Sequence, residues 1–163
     1  MKKLTLYTLV LLVSVQVQAV HLSENNRGQV LLFPYYTVNA GYNTLINLVN
    51  TSGQAKALRV RFREAANGRE VFALNLYLGA HDVWTAAMFK GGEDQNFLTG
   101  LISNDVSCSL PSLSSGAVLF NKDRISAAFA DPYGDNTNRM YEGFIEVIEM
   151  GALTGDSALA SRI

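Results

Sequence analysis

Beyond its N-terminal apolar stretch, the chain has no sustained helical period. Short apolar or alternating runs recur instead between clusters of Gly, Asn, Asp and Ser. These runs predict strands over residues 29–38, 43–50, 56–64, 69–78, 82–89, 116–121 and 142–150, with weaker ones near 97–103 and 124–130. Many short strands at this spacing read as an all-β sandwich or barrel. Pro34 falls inside the first run and has no N–H for a ladder, so that run is an edge strand or is bulged there. In the last run, Phe144, Ile145 and Ile148 would also make a helical stripe. The β-branched Ile145, Val147 and Ile148, with a glycine towards each end, favour a strand.

The sharpest local signal is a hairpin around Ala66-Asn67-Gly68. A two-residue Asn-Gly turn would set Phe62 against Ala73 and Arg61 against Leu74, mixing charge and apolar groups on both faces. A three-residue loop, residues 66–68, sets Phe62 against Phe72, Val60 against Leu74 and Leu58 against Leu76. The other face then pairs Arg63 with Val71, Arg61 with Ala73 and Arg59 with Asn75. Facing residues share a side of the sheet, so this register gathers the apolar set on one face. Gly68 would occupy the left-handed region after a type I turn. The Ser-rich stretch 107–116, with Pro111, reads as a loop or crossover. Residues 131–143 are a second irregular stretch. No internal repeat or low-complexity segment is present.

The N-terminus reads differently. Lys2 and Lys3 precede an apolar run, residues 4–15, and Val17-Gln18-Ala19 offers small side chains for cleavage. This is the three-part pattern of a secretory signal peptide. The run is shorter than the roughly 20 residues of a membrane-spanning helix, and no Cys follows it for lipidation. The expected organisation is a cleavable signal peptide at 1–19, a β-sandwich domain at 20–151 and a C-terminal tail at 152–163, with the chain either complete or a piece of a longer one. The mature chain would then lack a transmembrane segment and lie in the periplasm, at the cell surface or outside the cell.

Residues 42–51 (YNTLINLVNT), 57–64 (ALRVRFRE) and 76–84 (LYLGAHDVW) resemble the early strands of immunoglobulin-like sandwiches in uncharacterised, exported bacterial cell-surface proteins. The resemblance covers about half the mature chain. It implies an immunoglobulin-like antiparallel β-sandwich and transfers no site residues. The chain departs from antibody-type domains in having one cysteine, so no inter-sheet disulfide can form within it.

Composition narrows the function. The 163 residues suit one domain, and 48% apolar residues exceed what a disordered chain carries. A formal charge of −1 offers no electrostatic reason to expect nucleic acid. The charge is uneven along the mature chain: residues 20–92 carry +3 and residues 93–163 carry −6. Opposite halves could guide head-to-tail association of copies, or merely decorate two faces of one domain.

The search for chemistry is mostly negative. A Ser-His-acid set would need His81 as base, and the Gly-x-Ser-x-Gly turn is missing. Cys108 could serve as a nucleophile with His81, but its neighbours include no cation to lower the thiol. Asp131, Asp135, Asn136, Asn138 and Glu142 form the richest oxygen cluster for calcium, yet their spacing is not that of an EF-hand and the same residues favour turns. Transition metals find one Cys and two distant His. Glu146 and Glu149 fall on opposite faces of a strand, unlike a glycosidase pair. Gly91-Gly92-Glu93-Asp94 is too acidic for a phosphate loop. Arg59, Arg61 and Arg63, with Arg69 past the turn, form a basic stripe that would either hold a polyanion or pair with acids such as Glu64 and Glu70 on a solvated face. Trp84, Tyr35, Tyr36 and Tyr42 would either stack on sugars or fill the core.

No catalytic, cofactor-binding or metal residue is assigned and no cofactor is expected. The expected function is an exported, non-enzymatic structural or interaction protein, a subunit of a larger assembly through self-association or a cell-envelope protein partner. In a strand-addition version, residues 30–33 would occupy a neighbour's sheet edge. The alternative is a carbohydrate- or calcium-dependent binding module; an extracellular hydrolase ranks third.

Overall fold

A computed structural model describes residues 27–92, 98–114, 116–121, 123, 132–134 and 136–156. The expected signal peptide and the strand near 124–130 lie outside these residues. The described chain is mostly antiparallel β-structure in two sheets. In chain order the strands are β1 (Val30–Thr37), β2 (Thr44–Val49), β3 (Ala55–Glu64), β4 (Glu70–Leu78), β5 (Val83–Gly91), β6 (Leu98–Ile102), β7 (Cys108–Leu110), β8 (Val118–Leu119) and β9 (Glu142–Leu153). Sheet 1 has the order β1-β9-β3-β4-β7 and sheet 2 the order β2-β5-β6-β8.

The sheets enclose one apolar core. Phe62, Leu74, Leu76, Ile145 and Val147 enter it from sheet 1, and Ile46, Leu48, Trp84, Met88 and Leu101 from sheet 2. Burying each such large side chain contributes about 1.5–3 kcal/mol. Phe62, Phe72 and Phe120 form an aromatic cluster, with centroids 5.2 Å apart for Phe62–Phe120 and 5.1 Å for Phe72–Phe120. Trp84 and Tyr36 are core residues, and the Tyr36 hydroxyl donates to the Met140 carbonyl at 3.2 Å. Burial, and then the nearby Glu64 charge, push the Tyr36 phenol upward.

The hairpin β3–β4 keeps the expected pairs from Leu58–Leu76 to Phe62–Phe72. Its tip differs. The Glu64 N–H donates to the Arg69 carbonyl and the Gly68 N–H to the Glu64 carbonyl, so the loop spans residues 65–68. A bulge beside Phe62 absorbs the extra loop residue, and Arg63 therefore faces Glu70, not Val71. Val71 turns into the core instead. A bulge places one surplus residue without shifting the rest of the ladder. Gly68 does lie in the left-handed region, at φ 73°.

Other expectations are sharpened. β1 is both an edge strand and irregular, with a register shift between Phe33 and Tyr36 around Pro34. The last run is a strand, and β9 continues to Leu153, so Ala152 and Leu153 belong to it and not to a tail. The Ser-rich stretch is not all loop: β7 pairs with Asn75, Leu76 and Tyr77, at the C-terminal end of β4. At Gly143, β9 approaches β3 so closely that a Cβ would lie 1.9 Å from the Arg63 carbonyl oxygen. Among the described residues, no helix is long and apolar enough to cross a membrane.

Candidate interaction surface

The two-residue period of each strand sends alternate side chains to opposite faces. In sheet 2, Ile46, Leu48, Trp84, Met88 and Leu101 point inward. The alternate positions therefore make the outer face. β2 contributes Leu45, Asn47 and Val49; β5 contributes Val83, Thr85, Ala87 and Phe89; β6 contributes Ile102 and β8 Leu119. None of these carries a charge. Leu45 is 77% exposed and Val49 57%. Thr85 and Ala87 are small and sit between the taller Leu45 and Ile102, forming a shallow groove of about 280 Å³ that Asn47 and Asn104 also line. Phe89 and Leu119 lie across Gly100, where a Cβ would meet the Phe89 ring at 2.6 Å. The polar pair Asn47–Thr85 separates the row Leu45–Ala87–Ile102 from Val49–Val83, so the face is uncharged and mostly apolar; grouped exposed apolar residues mark contact with another molecule more often than isolated ones do.

Sheet 1 presents a mixed surface: β1 exposes Val30 and Leu32 at 64% and 63%, while β3, β4 and β9 carry charge. The Arg61 Nε donates to Glu70 Oε2 and the Arg63 Nε to Glu146 Oε2, both at 2.7 Å. Arg61 also reaches Glu146 at 3.4 Å, and the Arg59 guanidinium donates to Asn75 Oδ1 at 2.9 Å. The basic stripe thus carries its own counter-charges. Of the two expected partners, Glu70 pairs with the stripe and Glu64 does not. Glu64 turns inward, and its fully buried carboxylate accepts from the backbone N–H groups of Ala66, Asn67 and Arg69 and from Arg139 at 3.1 Å. Burial alone would raise this carboxyl, but the Arg139 and backbone hydrogen bonds together hold it below its usual value. Lys56 pairs with Glu149 at the mouth between the sheets. The positive and negative halves of the chain therefore meet inside one protomer, where β3 lies beside β9.

The remaining candidate residues are dispersed. His81 sits exposed in a turn at φ 59°, a conformation that side chains other than glycine rarely adopt. Its N–H donates to the Ser52 carbonyl. The neighbouring Asp82 carboxylate accepts from the N–H groups of Gly79 and Val83, at 3.1 and 2.8 Å, and from Ser107 at 3.2 Å. Asp82 is thus turned to the backbone and not to the imidazole. Cys108 is exposed on β7, opposite Tyr77. Of the calcium cluster, Asp131 and Asp135 lie outside the described residues. Asn136 Oδ1 caps a short 3-10 turn by accepting from Asn138 N–H, and Glu142 accepts from Asn39. Among the described residues, no group of three His, Cys, Asp or Glu is arranged to hold a metal ion. Glu146 and Glu149 do part to the outer face and the sandwich mouth. The aromatic set splits: Trp84 and Tyr36 are buried, whereas Tyr35 and Tyr42 are exposed.

Sequence reasoning missed both the outer face of sheet 2 and the Glu64–Arg139 pair. The face had a visible signal: residues 43–50, 83–89 and 98–102 contain no Asp, Glu, Lys, Arg or His. No protein-family model, curated protein or solved structure matches the chain.

Proposed function

We propose that this is an exported, non-enzymatic structural or interaction protein of the cell surface or extracellular space that works as a self-associating subunit. The observation that carries the reading is the uncharged, apolar outer face of sheet 2, centred on Leu45, Val49, Val83 and Ile102. Folding the protomer does not need these side chains on the outside, and water is a poor partner for them. Export is supported by the charged, apolar and small-residue segments of residues 1–19. The immunoglobulin-like label is proposed for the two-sheet sandwich architecture alone. Such sandwiches share layers without always sharing strand order, and here the first and last strands are neighbours. The test is the mass of the mature chain, residues 20–163, by light scattering at low and high salt. Oligomers are expected at both, because the complementary charges are already paired within the protomer; a monomer at every concentration overturns the reading.

A second reading rests on a different place. Trp84, Ser103, Asn104, Asp105, Ser107 and Ser112 help line a cavity of about 620 Å³ beside β7. Its hydroxyl and amide groups suit a sugar, which favours the carbohydrate-binding alternative. A rise in thermal midpoint with a glycan, on a chain that stays monomeric, would select this reading over the first.

A further inference from the structure

The four sheet edges differ in how they are protected. A free edge offers a row of unpaired N–H and C=O groups, and proteins blunt it with shortness, proline, charge or a bulge. β7 and β8 are short, at 3 and 2 residues. β1 carries Pro34 and a register shift. β2 has none of these devices. Its 6 residues pair with β5 without a shift and include neither proline nor charge. Among the described residues, no strand other than β5 pairs with β2. The Asn50 N–H donates to the Asp82 carbonyl at 2.9 Å, on the β5 side. Antiparallel alternation then aims the backbone groups of Leu45, Asn47 and Val49 at the open edge.

We propose that β2 of one protomer pairs antiparallel with β2 of a second copy, about a two-fold axis through Asn47, and so joins two copies of sheet 2 into one continuous sheet. This rests on the self-associating reading above and adds an edge contact to it, one that joins two uncharged outer faces into a wider one without covering either. The register follows from the faces. Opposed residues share a side of the sheet, so outward residues must oppose outward ones. Centring on Asn47 sets Leu45 against Val49 on the outer face and Ile46 against Leu48 on the inner one. Asn47 meets its own symmetry mate, and each amide offers both a donor and an acceptor to the other. Every pair is matched and uncharged, so a second copy of this strand complements the edge fully. A charged foreign strand would be desolvated there without a counter-ion. The contact is isologous and closes at a dimer, while the two apolar grooves run on across the joint.

The experiment uses the mature chain with Cys108→Ser. Adding Asn47→Cys brings the two thiols to an opposed position with Cα atoms about 5.5 Å apart, within disulfide range. Mild oxidation is expected to trap a covalent dimer. Adding Leu45→Cys instead is expected to trap none, because the two copies of that position lie about 14 Å apart at four strand residues. Separately, Asn47→Pro removes one inter-copy N–H from each protomer and is expected to weaken dimerisation about thirtyfold. Its circular dichroism spectrum should match the parent, since that N–H faces away from β5. A wild-type oligomer that cross-links at position 45 and not at 47, or that Asn47→Pro leaves intact, overturns this contact and leaves self-association standing. A wild-type chain that stays monomeric at every concentration overturns both.

Discussion

The outer face of sheet 2 and the β3, β4 and β9 part of sheet 1 are built in opposite ways, while β1 of sheet 1 exposes Val30 and Leu32. Sheet 1 covers itself with arginines and glutamates drawn from β3, β4 and β9, and each guanidinium finds a carboxylate or amide within the protomer. Sheet 2 shows leucine, valine, alanine and phenylalanine around Asn47 and Thr85, with no charge among its described outward residues. The charged part of the first face is satisfied within a single copy. On the self-associating reading proposed above, a second copy would be the complement of the uncharged face of sheet 2.

Four substitutions or conditions would break or sharpen that contrast. The largest effect is expected beneath sheet 1. Arg139→Ala leaves the Glu64 carboxylate buried without its cation, and stability should fall by about 3–5 kcal/mol in denaturant unfolding. A loss below about 1 kcal/mol would mean that water reaches the pair. Acid should act on the same carboxylate. Its folded pKa is depressed, so its stabilisation is present above the unfolded carboxylate pKa and is lost as pH falls through the lower folded value. Denaturation midpoints measured from neutral to acidic pH should therefore drop, and the drop should flatten in Glu64→Gln; an equally steep drop in that variant would assign the acid sensitivity to other groups.

Smaller effects are expected on the surfaces. The Arg63–Glu146 pair is partly exposed, with side chains 21% and 25% accessible. A double-mutant cycle with Arg63→Ala and Glu146→Ala should give a coupling of about 0.2–1 kcal/mol that shrinks in salt. A larger, salt-resistant coupling would place the pair in a drier setting than its exposure implies. Leu45→Ser should change protomer stability least, within about 0.5 kcal/mol, while lowering the apparent mass in light scattering. If it unfolds the protein instead, Leu45 serves the core and the two faces are not opposites.

Much of the frame was legible in the chain. The pairs Leu58–Leu76, Val60–Leu74 and Phe62–Phe72 follow from period-two alternation on both sides of a turn, because one slipped residue would send every apolar side chain to solvent. Pro34 marked an edge because it has no N–H to share. The loop at 65–68 escaped, since a bulge at Val71 compensated it and left the distant register unchanged. β7 escaped because three residues carry too little pattern to be seen. The outer face of sheet 2 was written in the uncharged runs 43–50, 83–89 and 98–102, but the uncharged run 29–38 joins sheet 1, because alternation alone does not say which sheet a strand enters.

The amino-acid order by itself determined which residues alternate, where the chain turns and that no familiar catalytic spacing is present, because these depend on near neighbours. Tertiary structure alone decided that Glu64 meets Arg139 and not the basic stripe, that Arg63 meets Glu146, and that among the described residues β2 pairs on one side alone. The Glu64–Arg139 partners are 75 positions apart and the Arg63–Glu146 partners 83. The pairing of β9 beside β3 within sheet 1 brings such distant groups within hydrogen-bond range, and strand order across the sheets determines which strands lie at the edges.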